Sequence, residues 1–533
     1  MKGKTRKFAF ALVCALLIVS QTLGACTVFA VGKNATLDGS TIISHNCDSN
    51  SLACDLRLWI IPSMPAGYER DIVTGSRGPY ADYSQFPEVK DYGPGSVVNG
   101  TYTLPKDSNR YIHAAVSFLN EKGLALSECT NGYDHDTEQG EKLTELYASD
   151  SGIIDYFILT DMVLENCSTA REAVEFMGAL IDEYGWTDSA ETIPITDGNE
   201  VWIFEPYGAN VWAAFRLPDD AAFVASNRAR INYVDFEDPD NFLCSENIID
   251  YALENDLWDG EGEFRPNEVY APNSNVYCTR REWRGLTLLD PSLEIDPYDE
   301  NPTEDWPLYV KPSEKLSVED IRTFASDYYQ GTEFDARNNI EAGPYGNILS
   351  PRQPERTINY YKTTYMQIST INASFPDEVK GLSYFGWGAP DSSYITPIFG
   401  AQRELPEFFG KGVRTEYDPS AGWWNASIVQ QLATTDYRDA SARIHEVREP
   451  LMETQYVTTT EIQKLATLLV NAGNSDAAKD LLTLYATQQA NLWFDTWEDL
   501  ADEFRLTYMQ GTKDRKTMPP TDWWQENVVD KGL

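Results

Sequence analysis

LGACTVFAVGKNATLDGSTIISHNCDSN, residues 23–50, carries the decision about the fold. CTVFAVG has the apolar, β-branched composition of a strand, Asp38-Gly39 is a hairpin turn signal, and TIISHN reads as the returning strand. The hairpin would begin at Cys26 and leave that residue at a free edge. Three readings compete for Cys26: the residue beside a signal cleavage site, a lipid-attachment site, or the first residue of a mature enzyme.

What precedes it reads as an export signal. MKGKTRK is basic, residues 8–19 (FAFALVCALLIV) are an unbroken apolar run, and Gly24 and Ala25 are the small residues of a cleavage site. Twelve apolar residues are too few to cross a bilayer at about 1.5 Å per residue. Residues 1–25 are therefore expected to be removed, leaving a mature chain without a transmembrane anchor, exported to the outside or surface of a bacterial cell. LGAC is also close to a bacterial lipobox. Acylation of the amine and thioether formation at sulfur would turn Cys26 into an anchor. A lipoprotein usually continues into a polar tether, whereas CTVFAVG enters a strand at once.

The chain carries 42 Lys+Arg against 83 Asp+Glu, a formal charge of −41. Loss of residues 1–25 removes four basic groups and no acidic ones, giving −45. Such a surface repels phosphate backbones and anionic lipid, so nucleic acid and general membrane adsorption are poor partners. A homo-oligomer is compatible with it if the contacts are less charged. With 42% hydrophobic and 12% aromatic residues the chain has the material for a globular core. Four histidines argue against a His-rich metal site, and no metal or organic cofactor is expected. Beyond Cys14 and Cys26, the six cysteines Cys47, Cys54, Cys129, Cys167, Cys244 and Cys278 are compatible with three disulfides, for which about fifteen pairings exist.

Further along, residues 55–105 are rich in Tyr, Gly and Pro and favour long loops. IHAAVSFL and GLALSEC form a candidate strand pair around NEKG. SGIIDYFILTDMVLENC and TAREAVEFMGALIDEYG have helical periodicity, the second ending at Gly185. EVWIFEPYGANVWAAFRL and AAFVASNRARI return to strand. Residues 232–310 are acidic and rich in Pro and Asn, interrupted by VYCTRREWRGLTLLD, and residues 458–497 read as helices separated by NAGNS. Strands, paired helices and strands again predict stacked layers with helices outside sheets. The domain reading is a signal at 1–25, a catalytic domain at 26–440 and a helical extension packed on it at 441–533.

A mature Cys26 would unite a thiol and an α-amine on one residue. The amine, with an ordinary pKa of about 7.7–8.0, can accept the proton of a thiol near 8.5 without a catalytic histidine. A papain-like pairing of Cys26 with His45 or His113 is the alternative proton route.

CTVFAVGKNATLDGSTIISHNCD resembles the mature start of bacterial secreted cysteine dipeptidases in the N-terminal-nucleophile hydrolase superfamily, relatives of penicillin V acylase and bile salt hydrolase. GLALSE, ASNRARI, TRREWRG, GTEFDARNNIEAGPYGN and SYFGWGAPDSSYITPIFG resemble the same family in order. The resemblance implies an α+β fold with a four-layer αββα core and additional helices, exposure of Cys26 by processing, and hydrolysis of dipeptides or other short peptides. It implies Cys26 as nucleophile, Asp48 as the acid holding its amine, Asn227 as a donor to the oxyanion, and Arg284 as the active-site arginine, with Arg280 and Arg281 as alternatives. His45 stands where many relatives have arginine, and its imidazole lacks the guanidinium's permanent charge and fork. Glu128 is the candidate for a substrate's free amine, and Cys47 and Cys129 lie close enough in sequence to these motifs for a disulfide to brace the site. The alternatives are hydrolysis of a linear amide or N-acyl amino acid, and a lipid-anchored binding protein without enzymatic activity.

Overall fold

The hairpin forms as read, but in the middle of a sheet. In the computed structural model, which describes residues 26–49, 54–74, 83, 86–89, 92, 96–148, 152–208, 210–302 and 305–532, strands Val28–Val31 and Thr41–Cys47 pair antiparallel with Ala30 opposite Ile43. The proposed export signal, residues 1–25, lies outside the described residues. The other edge of Val28–Val31 pairs with Ala222–Ala225, so Cys26 is enclosed instead of lying at a free edge. Its sheet has six antiparallel strands in the order Ala222–Ala225, Val28–Val31, Thr41–Cys47, Tyr365–Ile371, Gly381–Trp387, Thr396–Phe399. Every residue of these strands is buried, which is why none alternates apolar with charged residues: Val28–Val31 and Ala222–Ala225 are wholly apolar, and the longer strands carry only uncharged polar residues and His45 among their apolar ones.

A second sheet runs Phe242–Cys244, Trp212–Leu217, Val201–Pro206, Ala190–Thr196, Ala125–Leu126, Leu119–Asn120, Tyr111–His113, Trp59–Ile61, with Cys129–Asn131 branching onto Ala190–Thr196. The two sheets meet through stacked Phe118 and Phe385, ring centroids 5.9 Å apart, and a 2.6 Å hydrogen bond between the hydroxyls of Thr41 and Thr196. Helices Tyr156–Asn166 and Ala170–Tyr184 pack on the second sheet, burying Ile158, Met162, Val174 and Met177 with Ile193, Trp202 and Phe204. Asp155 and Thr169 cap their first turns, and Gly185 ends the second at φ +73°, where a side chain would be strained. Helices Gly422–Ala433, Tyr437–Asn471 and Ser475–Thr507 pack on the first sheet, with Trp493 against Trp387 and Trp497 against Tyr394, each at 5.4 Å. The protein is thus α+β with antiparallel sheets. Among the described residues no helix is long and apolar enough to cross a membrane.

Two expectations change. The 55–105 region holds strands Trp59–Ile61, Glu69–Thr74 and Val97–Thr103, the last two forming a hairpin whose long-range pairing overrides a loop-like composition. IHAAVSFL is not one strand: the ladder stops at His113, where Ser117 Oγ turns to Asp161 at 2.5 Å and to His113 at 3.2 Å. The boundary at 440/441 falls in the first turn of Tyr437–Asn471, a helix whose side chains share the core of the six-stranded sheet.

Because Trp497 is fully buried between helix and sheet, Trp497→Ala is expected to remove about 3–5 kcal/mol of stability, read as a lowered midpoint in denaturant.

Candidate active site

Sheet register assembles the site. Thr27 bridges Asn46, which sets Cys26 beside Cys47, and Val28 pairs with Ala225, so the turn that follows Ala225 carries Asn227 at the same end of the sheet. Cys47 in turn opposes Tyr365. Cys26 is 1% exposed, His45 lies two residues before Cys47 on the same strand, and Cys129 Sγ donates to the Cys26 carbonyl at 3.3 Å.

Helix Val276–Leu289, capped by Asn275, decides which arginine reaches Cys26. It is Arg281. All five of its N–H groups end on neutral oxygens: Nε on Tyr277 O at 3.0 Å, Nη1 on Cys26 O at 2.8 Å and Thr27 Oγ1 at 3.0 Å, Nη2 on Asn227 Oδ1 at 2.8 Å and Ser226 O at 3.2 Å. Arg284, the expected neighbour of Cys26, instead forms a bidentate pair with Asp327 at 2.9 and 2.8 Å. Arg280 pairs with Glu355 and lies 3.6 Å over the Phe334 ring. The reason is rotation: 280 and 284 share a face at i, i+4, whereas 281 shares its face with Tyr277 and Gly285. Gly285 lets that face close on the strand, since a Cβ there would meet Val224 Cγ2 at 2.7 Å.

Asn227 sits at φ +64°, a backbone conformation asparagine tolerates better than most residues. Its Nδ2 donates to Thr130 O at 2.6 Å and its N–H to Cys129 Sγ at 3.0 Å, while Oδ1 accepts from Arg281 and, at 3.2 Å, from Arg356. Arg356 also bonds Asp48, which accepts a second bond from Thr363, and lies over the rings of Tyr277 and Tyr360. Asp48 is thus built into the same network through Arg356, a residue that no motif in the sequence marked.

On the acidic side, Glu128 Oε2 stands 3.9 Å from Cys26 Sγ and 3.6 Å from His45 Nε2. Glu191 sits beside it, opposite Thr130 in the ladder, fully buried and with no well-aligned hydrogen-bond partner on either oxygen. Its only sequence trace is a carboxylate inside the apolar strand AETIPIT. His113, the other candidate partner of Cys26, is instead bonded to Asp161 at 3.0 Å. The seven described cysteines are all free thiols, so the expected disulfides are absent among the described residues; Cys47 and Cys129 lie on opposite sides of Cys26.

The model of Peptidase family C69 matches residues 25–449. The chain belongs to this family. It is similar to a probable dipeptidase of Latilactobacillus sakei (30% identity, 72% of this chain and 77% of the relative), to a dipeptidase of Bifidobacterium longum strain NCC 2705 (27%, 80% of each) and to probable dipeptidase B of Lactococcus lactis subsp. lactis strain IL1403 (26%, 79% and 83%).

In this C69 peptidase the thiol of Cys26 is pushed below the ordinary cysteine range, chiefly by a hydrogen bond from Cys47; burial and Glu128 oppose the shift and His45 assists it. Cys47 is correspondingly held protonated as the donor. Burial alone would keep His45 neutral, but Cys26, Glu128 and Asp48 together raise its pKa. Burial, then Glu128, pushes the Glu191 carboxyl far up. The Cys26 thiol, the His45 imidazole and the carboxyl groups of Glu128 and Glu191 thus share one buried space, in which burial favours the protonated form of Glu191. Cys26, His45 and Cys47 also present donor atoms all within 4.8 Å of one another, the chemistry of a soft-metal ligand set.

Arg281→Ala is expected to lower kcat/KM by about a hundredfold or more, because Asn227 and the Cys26 carbonyl lose their common anchor, and Arg284→Ala by much less. Gly285→Ala should reproduce the Arg281 defect in weaker form by forcing the helix off Val224. Steady-state kinetics on the three variants checks this order.

Proposed function

We propose that this C69 peptidase is an exported cysteine dipeptidase that acts as an N-terminal-nucleophile hydrolase, its two sheets and flanking helices forming a four-layer αββα core. One observation carries the reading. Arg281 holds the Cys26 carbonyl and the Asn227 amide oxygen together, each at 2.8 Å, and the family match begins at residue 25, next to the bond whose cleavage would free the Cys26 amine. The relatives named as dipeptidases support the substrate class.

In this reading removal of residues 1–25 gives Cys26 an α-amine that takes the thiol proton. The thiolate attacks the peptide carbonyl, and the developing oxyanion is met by the second Nδ2–H of Asn227, an amide whose oxygen is already gripped by Arg281 and Arg356. The amine returns the proton to the leaving amino group, and water then releases the acid from the thioester. Asp48 would orient the amine from within the Arg356 network. Glu128, which accepts a bond from Thr130 Oγ1 at 2.8 Å, and the buried Glu191 beside it offer an acidic wall for the free ammonium of the substrate, which would account for selection of short peptides with unblocked ends.

A second proton route has its own support. His45 is close to Cys26 and 3.6 Å from Glu128, an arrangement in which imidazole could take the thiol proton. One added residue before Cys26 separates the two routes: loss of turnover assigns the base to the amine, retained turnover to His45.

Cys26→Ser in correctly processed protein is expected to reduce turnover by at least about a thousandfold. Unchanged turnover would reject the nucleophile, and mass spectrometry showing a lipidated Cys26 would reject the enzyme reading. Because the thiol pKa is depressed, the acid limb of kcat/KM should lie below the ordinary cysteine value, activity falling as pH drops through it; His45→Gln, which removes a positive charge, should move that limb upward. Glu191→Gln alters a buried hydrogen-bonding contact worth about 0.5–1.5 kcal/mol, so KM for an unblocked dipeptide should rise about twofold to tenfold with a smaller change in kcat. An N-acylated dipeptide should show no such KM change.

A further inference from the structure

We propose that the nucleophile cluster is also a binding site for a soft divalent cation, zinc in the first instance, which shuts the enzyme by capturing Cys26. The inhibitory consequence rests on the proposed role of Cys26; the binding does not. Cys26 Sγ, Cys47 Sγ and a ring nitrogen of His45 lie within 4.8 Å of one another, all on buried residues. Glu128 Oε2 supplies a fourth donor, 3.9 Å from Cys26 Sγ and 3.6 Å from His45 Nε2. Zinc bonds of about 2.3 Å to sulfur and about 2.0–2.2 Å to nitrogen and oxygen make a tetrahedron with edges of roughly 3.4–3.8 Å. Glu128 Oε2 is within a few tenths of an ångström of that from Cys26 and His45, and the two thiols and the imidazole need close by no more than about an ångström.

A second observation points the same way. His45 Nε2 is buried without a well-aligned hydrogen-bond partner, on a residue 1% exposed, and it faces Glu128 across the cluster. An orphaned imidazole nitrogen beside two thiols and a carboxylate is a set of ligands matched to zinc or cadmium and poorly matched to magnesium or calcium. The site is also pre-built by the sheet: Cys26 and Cys47 are cross-strand neighbours, and His45 is two residues from Cys47 on the same strand.

Binding is a simple exchange. Cys47 gives up its S–H proton and the Cys26–His45 pair gives up one more, two S–metal bonds form, and the two protons leave to water; His45 is bound as neutral imidazole, Glu128 as carboxylate, and nothing is oxidised or reduced. With its lone pair on the metal, Cys26 cannot attack a carbonyl. The cation would therefore be an inhibitor of a reaction that itself uses no metal.

Titrating the full chain as isolated with Cd2+ tests this directly. Expected are an ultraviolet sulfur-to-cadmium charge-transfer band saturating near one ion per chain, displacement by Zn2+ but not by excess Mg2+, and loss of turnover in step with Zn2+ binding that a chelator reverses. Cys47→Ser should weaken Cd2+ binding by more than the tenfold to hundredfold typical of losing a supporting partner, and Glu128→Gln by less than Cys47→Ser. Should Cys47→Ser fail to fold, the Co2+ spectrum of the unsubstituted chain decides: intense tetrahedral bands support the site, and weak octahedral ones overturn it. Absence of the charge-transfer band, or a band indifferent to Cys47→Ser, also overturns it. If instead Cys26→Ser leaves turnover intact while the unsubstituted chain still binds Cd2+, the nucleophile reading and inhibition fail and the cation site stands.

Discussion

A buried guanidinium with no carboxylate directly against it organises this protein. Arg281 is 0% exposed, and its five N–H groups are spent on three backbone carbonyls, a threonine hydroxyl and the amide oxygen of Asn227. A buried charge is tolerated only when its hydrogen-bonding capacity is filled, so each of those oxygens is held in place by the energetic need of the group it serves. The result ties one helix to Cys26 and Thr27, just before the first strand, and to the turn after Ala222–Ala225. Those are the two chain segments that carry the thiol and the amide facing it.

Two kinds of order meet at the site. Antiparallel register sets the frame: Val28 faces Ala225 and Thr27 faces Asn46, which brings the segments carrying Cys26, Asn227 and Cys47 to one end of the sheet. Electrostatics then tunes what register has placed. The cationic side is Arg281 and Arg356, converging on one amide oxygen; the acidic side is Glu128 and Glu191, with the thiol and His45 against Glu128. Such separation of sign across a few ångströms in a water-poor interior suits a substrate carrying its own charge, and a reaction in which charge appears on a carbonyl oxygen.

Much of this was legible in the chain. The hairpin, Cys26, the ASN turn and the paired helices follow from local periodicity, turn residues and a specific resemblance, all of which are short-range signals. Arg281 was separated from Arg284 only by helix rotation and by Gly285, whose missing side chain matters because Val224 is there. Arg356 lies in a turn-rich stretch without periodicity, and its partner Asp48 is 308 residues away in sequence. Glu191 is a single carboxylate in an apolar strand, visible as an anomaly but silent about what it faces. The disulfides misled because an even cysteine count says nothing about which sulfurs meet.

All seven described cysteines are unbridged, and six of them are buried. The native architecture therefore draws its cohesion from apolar packing and hydrogen bonding, with no covalent staple among those residues. A reductant has nothing there to cut, so the stability of the fold is indifferent to it, and among the described cysteines Cys244 is the one partly open to an oxidant.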